Sequence, residues 1–437
     1  MAGQTLVDVD EQDSSAIKTL YTTSPAPTKT TSVRVPASQL PSQQPTNGDA
    51  NSLVTNLSQR YTNPSLTVTP THSLSISNTA IPTPTPTEVL LHVRCTGICG
   101  SDLHLWHSGR IGPLSITRPC ILGHEAAGVV LAVGSAVTHL RAGDRVAIEP
   151  GVPCHDCWVC RSGRYNLCEN VRFCGVGTEG CEGTVRRFMC HDARYCHVIP
   201  EGMGWRTAAL LEPLAVVMHA VGELEGKVAL GRPVLVCGAG PIGLIALKAA
   251  RASGAWPLAI TDVDEGRLEF ARRFVPGVRT KRWEKSLSEV DNAEELRRLF
   301  GCSGTRDVAT GVPDPDEYLA PQVVLECTGV ESSIVTAAYS CRRGGTVMVV
   351  GVGRSKMDNL PFMHLSLAEI GLRFINRYRD MWPAAINVLA DGRVMDLDEL
   401  VTHTFPLENA VEAMSTCADR SSGSIKVQIV DDCEIRL

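Results

Sequence analysis

Over positions 1 to about 58 apolar residues keep no sustained period: the segment is rich in Ser, Thr, Pro, Gln and Asn and almost free of aromatic side chains. Such a stretch has too little apolar surface to offset its ordering entropy, and it is expected to be a disordered extension. After the Pro/Thr hinge PTPTPTEV the pattern changes. Val89 to Val93 reads as a strand, and short β-prone pieces separated by Gly and Pro follow to about Pro200, predicting an irregular β-rich domain. From about Leu214 strand and helix signals alternate: VLVCG, the helical run PIGLIALKAARASGA, then LAIT, VVLECTG and TVMVVG. That alternation predicts an α/β unit with a doubly wound parallel sheet. Beyond Phe374 a helix is predicted around Trp382 to Asp391, then a last strand, SIKVQIV, which can return to the first domain. No repeat of the solenoid kind is present.

Composition narrows the function classes. A chain of 437 residues with 43% hydrophobic and 20% charged positions is long enough for two cores. A formal charge of -6 supplies no basic field for nucleic acid or anionic lipid, which leaves a small molecule as the expected partner. The acidic start MAGQTLVDVDEQDSS does not resemble a targeting peptide, and the uncharged stretch Pro233 to Leu247 is too short and glycine-broken to span a bilayer. Seventeen scattered cysteines then read as free thiols and metal ligands in a reducing, cytoplasmic setting.

One glycine motif lies between strand and helix. The strand ending at Cys237 runs into Gly238-Ala-Gly240-Pro-Ile-Gly243, and Asp262 stands 19 residues beyond Gly243. Three glycines at this spacing also occur in ordinary turns. Here the preceding strand, the following helix and the acidic residue are what a dinucleotide requires: a tight turn, backbone amides near the pyrophosphate, and a carboxylate for the ribose hydroxyls. A carboxylate at 262 repels a 2′-phosphate, favouring NAD over NADP. Arg267 is the nearby cation that can soften this, or a solvated helix residue.

Two groups of residues suggest metal. Cys154, Cys157, Cys160 and Cys168, inside the segment 151–170, can close a tetrahedral thiolate shell around a structural Zn2+; unrelated buried cysteines or an iron–sulfur cluster are the alternatives. The second group is dispersed: Cys99 in GICGSD, His124 and Glu125 in GHE, and Glu212 in LLEPL. Mixed Cys/His/Glu ligation suits a catalytic zinc, which keeps one position open and polarises an alcohol for hydride loss to a nicotinamide.

The motifs GICGSDLH, GHEAAGVV, LLEPL and CGAGPIG, with the four-cysteine lobe, resemble the zinc-containing medium-chain dehydrogenases. YTNP, DRVAIEP, ITDVDEGRL, ECTGVESSI and LVTHTFPLE make the chain most similar to the polyol branch, the fungal L-arabinitol 4-dehydrogenases with sorbitol and xylitol dehydrogenases. The resemblance implies a GroES-like catalytic domain over 59–213, a Rossmann domain over 214–372 and a return to the catalytic domain over 373–437. It implies that Cys99, His124 and Glu125 ligate the catalytic zinc, that Glu212 orients or replaces its water, that Ser101 relays a proton, and that Arg377 and Tyr378 hold polyol hydroxyls. Ile242, Asp262, Arg267, Gly351 and Val352 match cofactor-pocket positions, and a homotetramer or dimer is implied. Three departures stand out: Leu105 replaces an aromatic residue beside the substrate, Arg379 replaces a small residue, and Ser303 to Leu319 resembles an insertion. The expected reaction is oxidation of a sugar alcohol (L-arabinitol, xylitol or sorbitol) to a ketose with NAD. Alternatives are a zinc dehydrogenase of a non-sugar secondary alcohol and an inactive cofactor-binding relative.

Overall fold

The parallel strands explain themselves through period-two burial. In the computed structural model, which describes residues 47–112, 114–177, 180–303 and 314–436, Val234 and Val236 enter one apolar cluster while Leu235 and Cys237 enter another on the opposite face. Leu258 and Ile260 versus Ala259, and Val323 and Leu325 versus Val324, divide in the same way. Strands covered by helices on both faces carry apolar residues at every position. Six strands, the polar edge strand Arg279–Arg282 among them, form a parallel sheet in the spatial order Arg279–Arg282, Leu258–Asp262, Val234–Cys237, Val323–Glu326, Thr346–Val349, Gly371–Phe374. The chain reverses direction across the sheet between Val234–Cys237 and Val323–Glu326, and ligands of such sheets sit at that switch point.

The other sheet is built round Glu88–Gly97, a strand buried along nearly its whole length. Glu125–Val133 pairs with it antiparallel on one side; Phe188–Asp192 and the late strand Lys426–Val430 share its other edge. Lys426–Val430 thereby brings a late segment into the first sheet, with Gln428 paired to Gly97. The helix Leu211–Gly222 packs into the cluster that contains Val234 and Leu244 on one side and Ala127 and Ala147 on the other, so it joins the two sheets and carries Glu212 in its first turn.

The extension expected to be disordered to residue 58 is corrected in part. Residues 1–46 lie outside the described residues, but Asn47–Arg60 is a helix. Ala50, Val54 and Leu57, one helical face, are buried against Leu90, Leu131 and Phe188. Arg60 also donates to the Arg436 carbonyl at 2.8 Å. Four apolar residues, Ala50, Leu53, Val54 and Leu57, in a polar window were too few to signal a helix; the sheet they cover supplies the stabilisation. The expected insertion falls partly on 304–313, outside the described residues. No helix among the described residues is long and apolar enough to cross a membrane.

Candidate active site between the two sheets

Cys99 is the N-cap of the helix Gly100–Ser108, and the carboxylate of Asp102, one turn in, accepts from the Cys99 backbone N–H at 2.9 Å. Its other oxygen accepts from the N–H of Gly123 at 3.2 Å and lies 3.6 Å from Nδ1 of His124. A single buried carboxylate thus staples the Cys99 turn to the His124 loop and faces the inner nitrogen of the histidine. The outer nitrogen, Nε2, lies 3.2 Å from the Ser101 hydroxyl. Histidine ligands of metals are commonly oriented by a carboxylate in this way. Sequence reasoning missed Asp102, although its position three residues after Cys99 is that of a capping-box acid.

Glu125 opens the strand that pairs with Gly97, and a side chain at Gly97 would overlap its carboxylate. Lys426 Nζ reaches both Glu125 oxygens at 2.8 and 2.6 Å and the Ile98 carbonyl at 3.1 Å, with both side chains almost fully buried. Lys426 was also missed; a lysine within an apolar strand is the signal that could have found it. The ligand atoms of Cys99, His124 and Glu125 all lie within 4.8 Å of one another, and Glu212 stands outside that group. Burial pushes the Glu212 carboxyl up to about 7, with His124 opposing that shift. Thiolate, imidazole and carboxylate donors gathered beside two further buried acids, against one lysine, suit a dication.

Around Glu212 the loop after Gly371–Phe374 supplies the next residues. Arg377, at φ +56°, lays its guanidinium 4.7 Å above the Phe173 ring, and Phe173 stands 5.5 Å from the His124 ring. Burial pulls the Arg377 guanidinium below its usual range, while Tyr378 and Glu212 act the other way. The buried Tyr378 hydroxyl faces the Glu212 carboxylate without closing a hydrogen bond of normal geometry. Phe173 was missed because nothing in its sequence context marks it.

The structure gives two of the departures from the relatives their surroundings. Leu105 faces no open wall: it is fully buried in the cluster of Leu66, Ile98, Leu122 and Phe173, so a larger ring there would overpack the core. Arg379 is turned to Glu223, which it meets at 3.1 Å, and to the Gly163 carbonyl at 3.5 Å.

The four-cysteine lobe gathers Cys154, Cys157, Cys160 and Cys168 with all sulfurs within 4.8 Å and no disulfide. Backbone N–H donors from Cys157 and Asp156 draw the Cys154 thiol down to about 6, whereas burial pushes the Cys160 and Cys168 thiols up. The lobe also grips the loop that carries Arg377 and Tyr378. Asn166 donates to the Asn376 carbonyl at 2.9 Å, and the Tyr165 hydroxyl accepts from the Asp380 N–H at 2.8 Å while lying 3.0 Å from Glu149.

At the switch point Gly238 has φ +98°, and a side chain at Gly243 would run into the Gly238 carbonyl, so helix and strand meet backbone to backbone. Gly240 opens on space with only the Arg267 guanidinium at its margin, which puts that cation beside the helix N-terminus. Ile242 packs on the core below. Asp262 accepts from Ala239 N–H at 2.6 Å and from Asp264 N–H at 2.9 Å, beside the glycine turn. Gly351 packs on the Thr328–Gly329 backbone, and Val352 is exposed at the rim. Glu326, fully buried, accepts from the N–H groups of Thr328 and Gly329 and shapes this rim. An open helix N-terminus with a neighbouring cation and a carboxylate at the next strand end fits a dinucleotide.

Residues 85–201 match the alcohol dehydrogenase GroES-like domain and residues 241–391 the zinc-binding dehydrogenase family. The chain is 50% identical over 349 residues to L-arabinitol 4-dehydrogenase of Aspergillus oryzae, covering 80% of this chain and 87% of the relative. It is 41% identical over 354 residues to sorbitol dehydrogenase of Homo sapiens, covering 81% and 92%. Its fold superposes on L-idonate 5-dehydrogenase of Escherichia coli with a TM-score of 0.72 at 26% identity, covering 85% and 98%. The chain therefore belongs to the polyol branch of the zinc-containing medium-chain dehydrogenases, with a GroES-like domain beside a Rossmann domain.

Proposed function

We propose that this chain oxidises a secondary alcohol of a pentitol or hexitol to a ketose, with NAD as hydride acceptor and L-arabinitol, xylitol and sorbitol as leading substrates. The observation that carries the reading is the placement of Glu212, Arg377 and Tyr378 beside the Cys99, His124 and Glu125 group. A site rich in buried hydroxyl partners rejects alcohols that leave those partners unpaired.

Cys99, His124 and Glu125 would hold the catalytic zinc, with Glu212 orienting water or substrate, and the four-cysteine lobe a structural zinc. Zinc supplies Lewis acidity towards the reacting alcohol, and NAD supplies the hydride acceptor. Ser101 Oγ relays the hydroxyl proton of the substrate, accepting it while passing its own proton on to solvent. Burial raises the Glu212 carboxyl, so that it can accept or return a proton beside the reacting alcohol. Arg377 and Tyr378 donate to the neighbouring hydroxyls and fix which carbon faces the cofactor. Gly240 at the helix N-terminus and Arg267 receive the pyrophosphate over the turn that Gly238 and Gly243 shape, Asp262 the adenosine ribose, and Ile242, Gly351 and Val352 line the rest. A homo-oligomer belongs to the proposal, supported by Phe362, Met363, Leu367 and Phe374 exposed on the cofactor domain near its edge strand.

The test is a panel of pentitols, hexitols and simple secondary alcohols, followed by reduction of NAD and then NADP. Polyols with NAD should react fastest. Ready turnover of simple secondary alcohols with none of polyols ends the polyol reading, and a preference for NADP ends the assignment of Asp262.

A further inference from the structure

Outside both zinc centres a third set of soft ligands converges. Cys174, Cys181 and His191 are all buried, and their ligand atoms lie within 4.8 Å of one another. The Cys174 and Cys181 sulfurs are 3.2 Å apart, and Cys174 Sγ is 3.9 Å from His191 Nδ1. A disulfide needs about 2.05 Å between sulfurs. The observed separation is instead close to the 3.4 and 3.5 Å between sulfurs of the four-cysteine lobe.

The histidine is set up for ligation from behind. Nε2 lies 2.8 Å from the Glu149 carbonyl oxygen, which can only accept, so Nε2 carries the proton and Nδ1 turns its lone pair towards Cys174. An outer hydrogen bond to a backbone carbonyl is how metal-bound histidines are fixed in tautomer and orientation. Charge also matches. The surrounding cluster is apolar, made of Val89, Leu91, Val146, Ile148, Met189 and Cys196 among others. Two thiolates and a neutral imidazole around a dication sum to zero, the balance that such surroundings tolerate. Access exists as well: Cys181 and His191 border a cavity of about 260 Å³ shared with Arg172, Glu182 and Asp192, through which an ion can enter and water can complete the shell.

We propose that Cys174, Cys181 and His191 form a third metal site, taking a thiophilic divalent cation of the zinc class in a structural role. The ion clips the glycine-rich turn that begins at Cys174, with φ +77° at Gly175 and +74° at Gly177, to the strand Phe188–Asp192. Phe173, next to the first ligand, faces His124, and Gly175 packs on the backbone of Gly123. The site therefore steadies the wall of the active site from behind.

The experiment uses the full chain, stripped of metal, saturated with cadmium and freed of excess. Elemental analysis should give a third equivalent of cadmium per chain, and Cys181→Ser should lose one equivalent relative to the wild type. Cadmium-113 NMR of the wild type reads the site without any variant, and should give a third resonance, distinct from the all-sulfur lobe and the mixed catalytic group. Two resonances with an equivalent count unchanged by Cys181→Ser would overturn the proposal. So would a Cys174–Cys181 disulfide found by peptide mapping of the unreduced protein. The readout does not depend on polyol turnover, so failure here leaves the proposed reaction standing, and failure of that reaction leaves this site standing.

Discussion

The four-cysteine lobe and the Cys99 group are assembled from similar donors by opposite means. All four lobe ligands fall between residues 154 and 168, mostly half-buried, and the lobe's own backbone serves them: Cys157 N–H donates to Cys154 Sγ and Cys154 N–H to Cys168 Sγ, each at 3.3 Å. The Cys99 group is drawn from distant segments, its histidine and glutamate are buried, and its charge is balanced by Lys426, 301 positions from Glu125. A half-exposed thiolate turn needs only local geometry. A buried site with several acids needs compensating charge, and the fold must deliver it.

This comparison can be broken most forcefully at Lys426. Lys426→Ala leaves the Glu125 carboxylate buried without its cation, and the chelated, metal-free protein should lose about 3 to 5 kcal/mol of unfolding free energy in urea. A loss of about 1 kcal/mol or less, the size of an exposed pair, would show that the fold does not depend on this charge balance.

A chain starting at Gln59 separates stability of the sheet from either centre. Removing Val54 and Leu57 from their buried positions should cost roughly 3 to 5 kcal/mol by apolar burial, with the zinc equivalents unchanged. An unaltered denaturation midpoint would mean that the helix Asn47–Arg60 adds nothing to the core.

Asp102→Asn sharpens the contrast between the two centres. It removes the carboxylate that staples Cys99 to Gly123 and faces His124, so zinc affinity at the Cys99 group should fall about 10- to 100-fold while the lobe keeps its ion. Equal loss from both centres in a chelator competition would contradict the assignment.

The smallest effect is expected at Tyr165, where the lobe touches the loop that carries Arg377. Tyr165→Phe should cost about 1 kcal/mol of stability and raise KM for a polyol with kcat little changed. An unchanged KM would make the lobe a separate module rather than a support for the substrate loop.

Sequence spacing alone determined the features that depend on neighbours along the chain. The four cysteines, the Gly238–Gly243 turn and the alternation of apolar strands with helices from Val234 onward were legible because a turn, a thiolate cradle and a parallel strand are each specified within a few tens of residues. Only the tertiary structure decided that Lys426 meets Glu125, that Asp102 ties two ligand segments together, that Leu105 lies in the core and Arg379 meets Glu223, and that Asn47–Arg60 is a helix. Each of these rests on a partner brought close by the sheets. Whether a charge is balanced, or a few apolar residues find a surface to cover, is settled by burial and not by spacing along the chain.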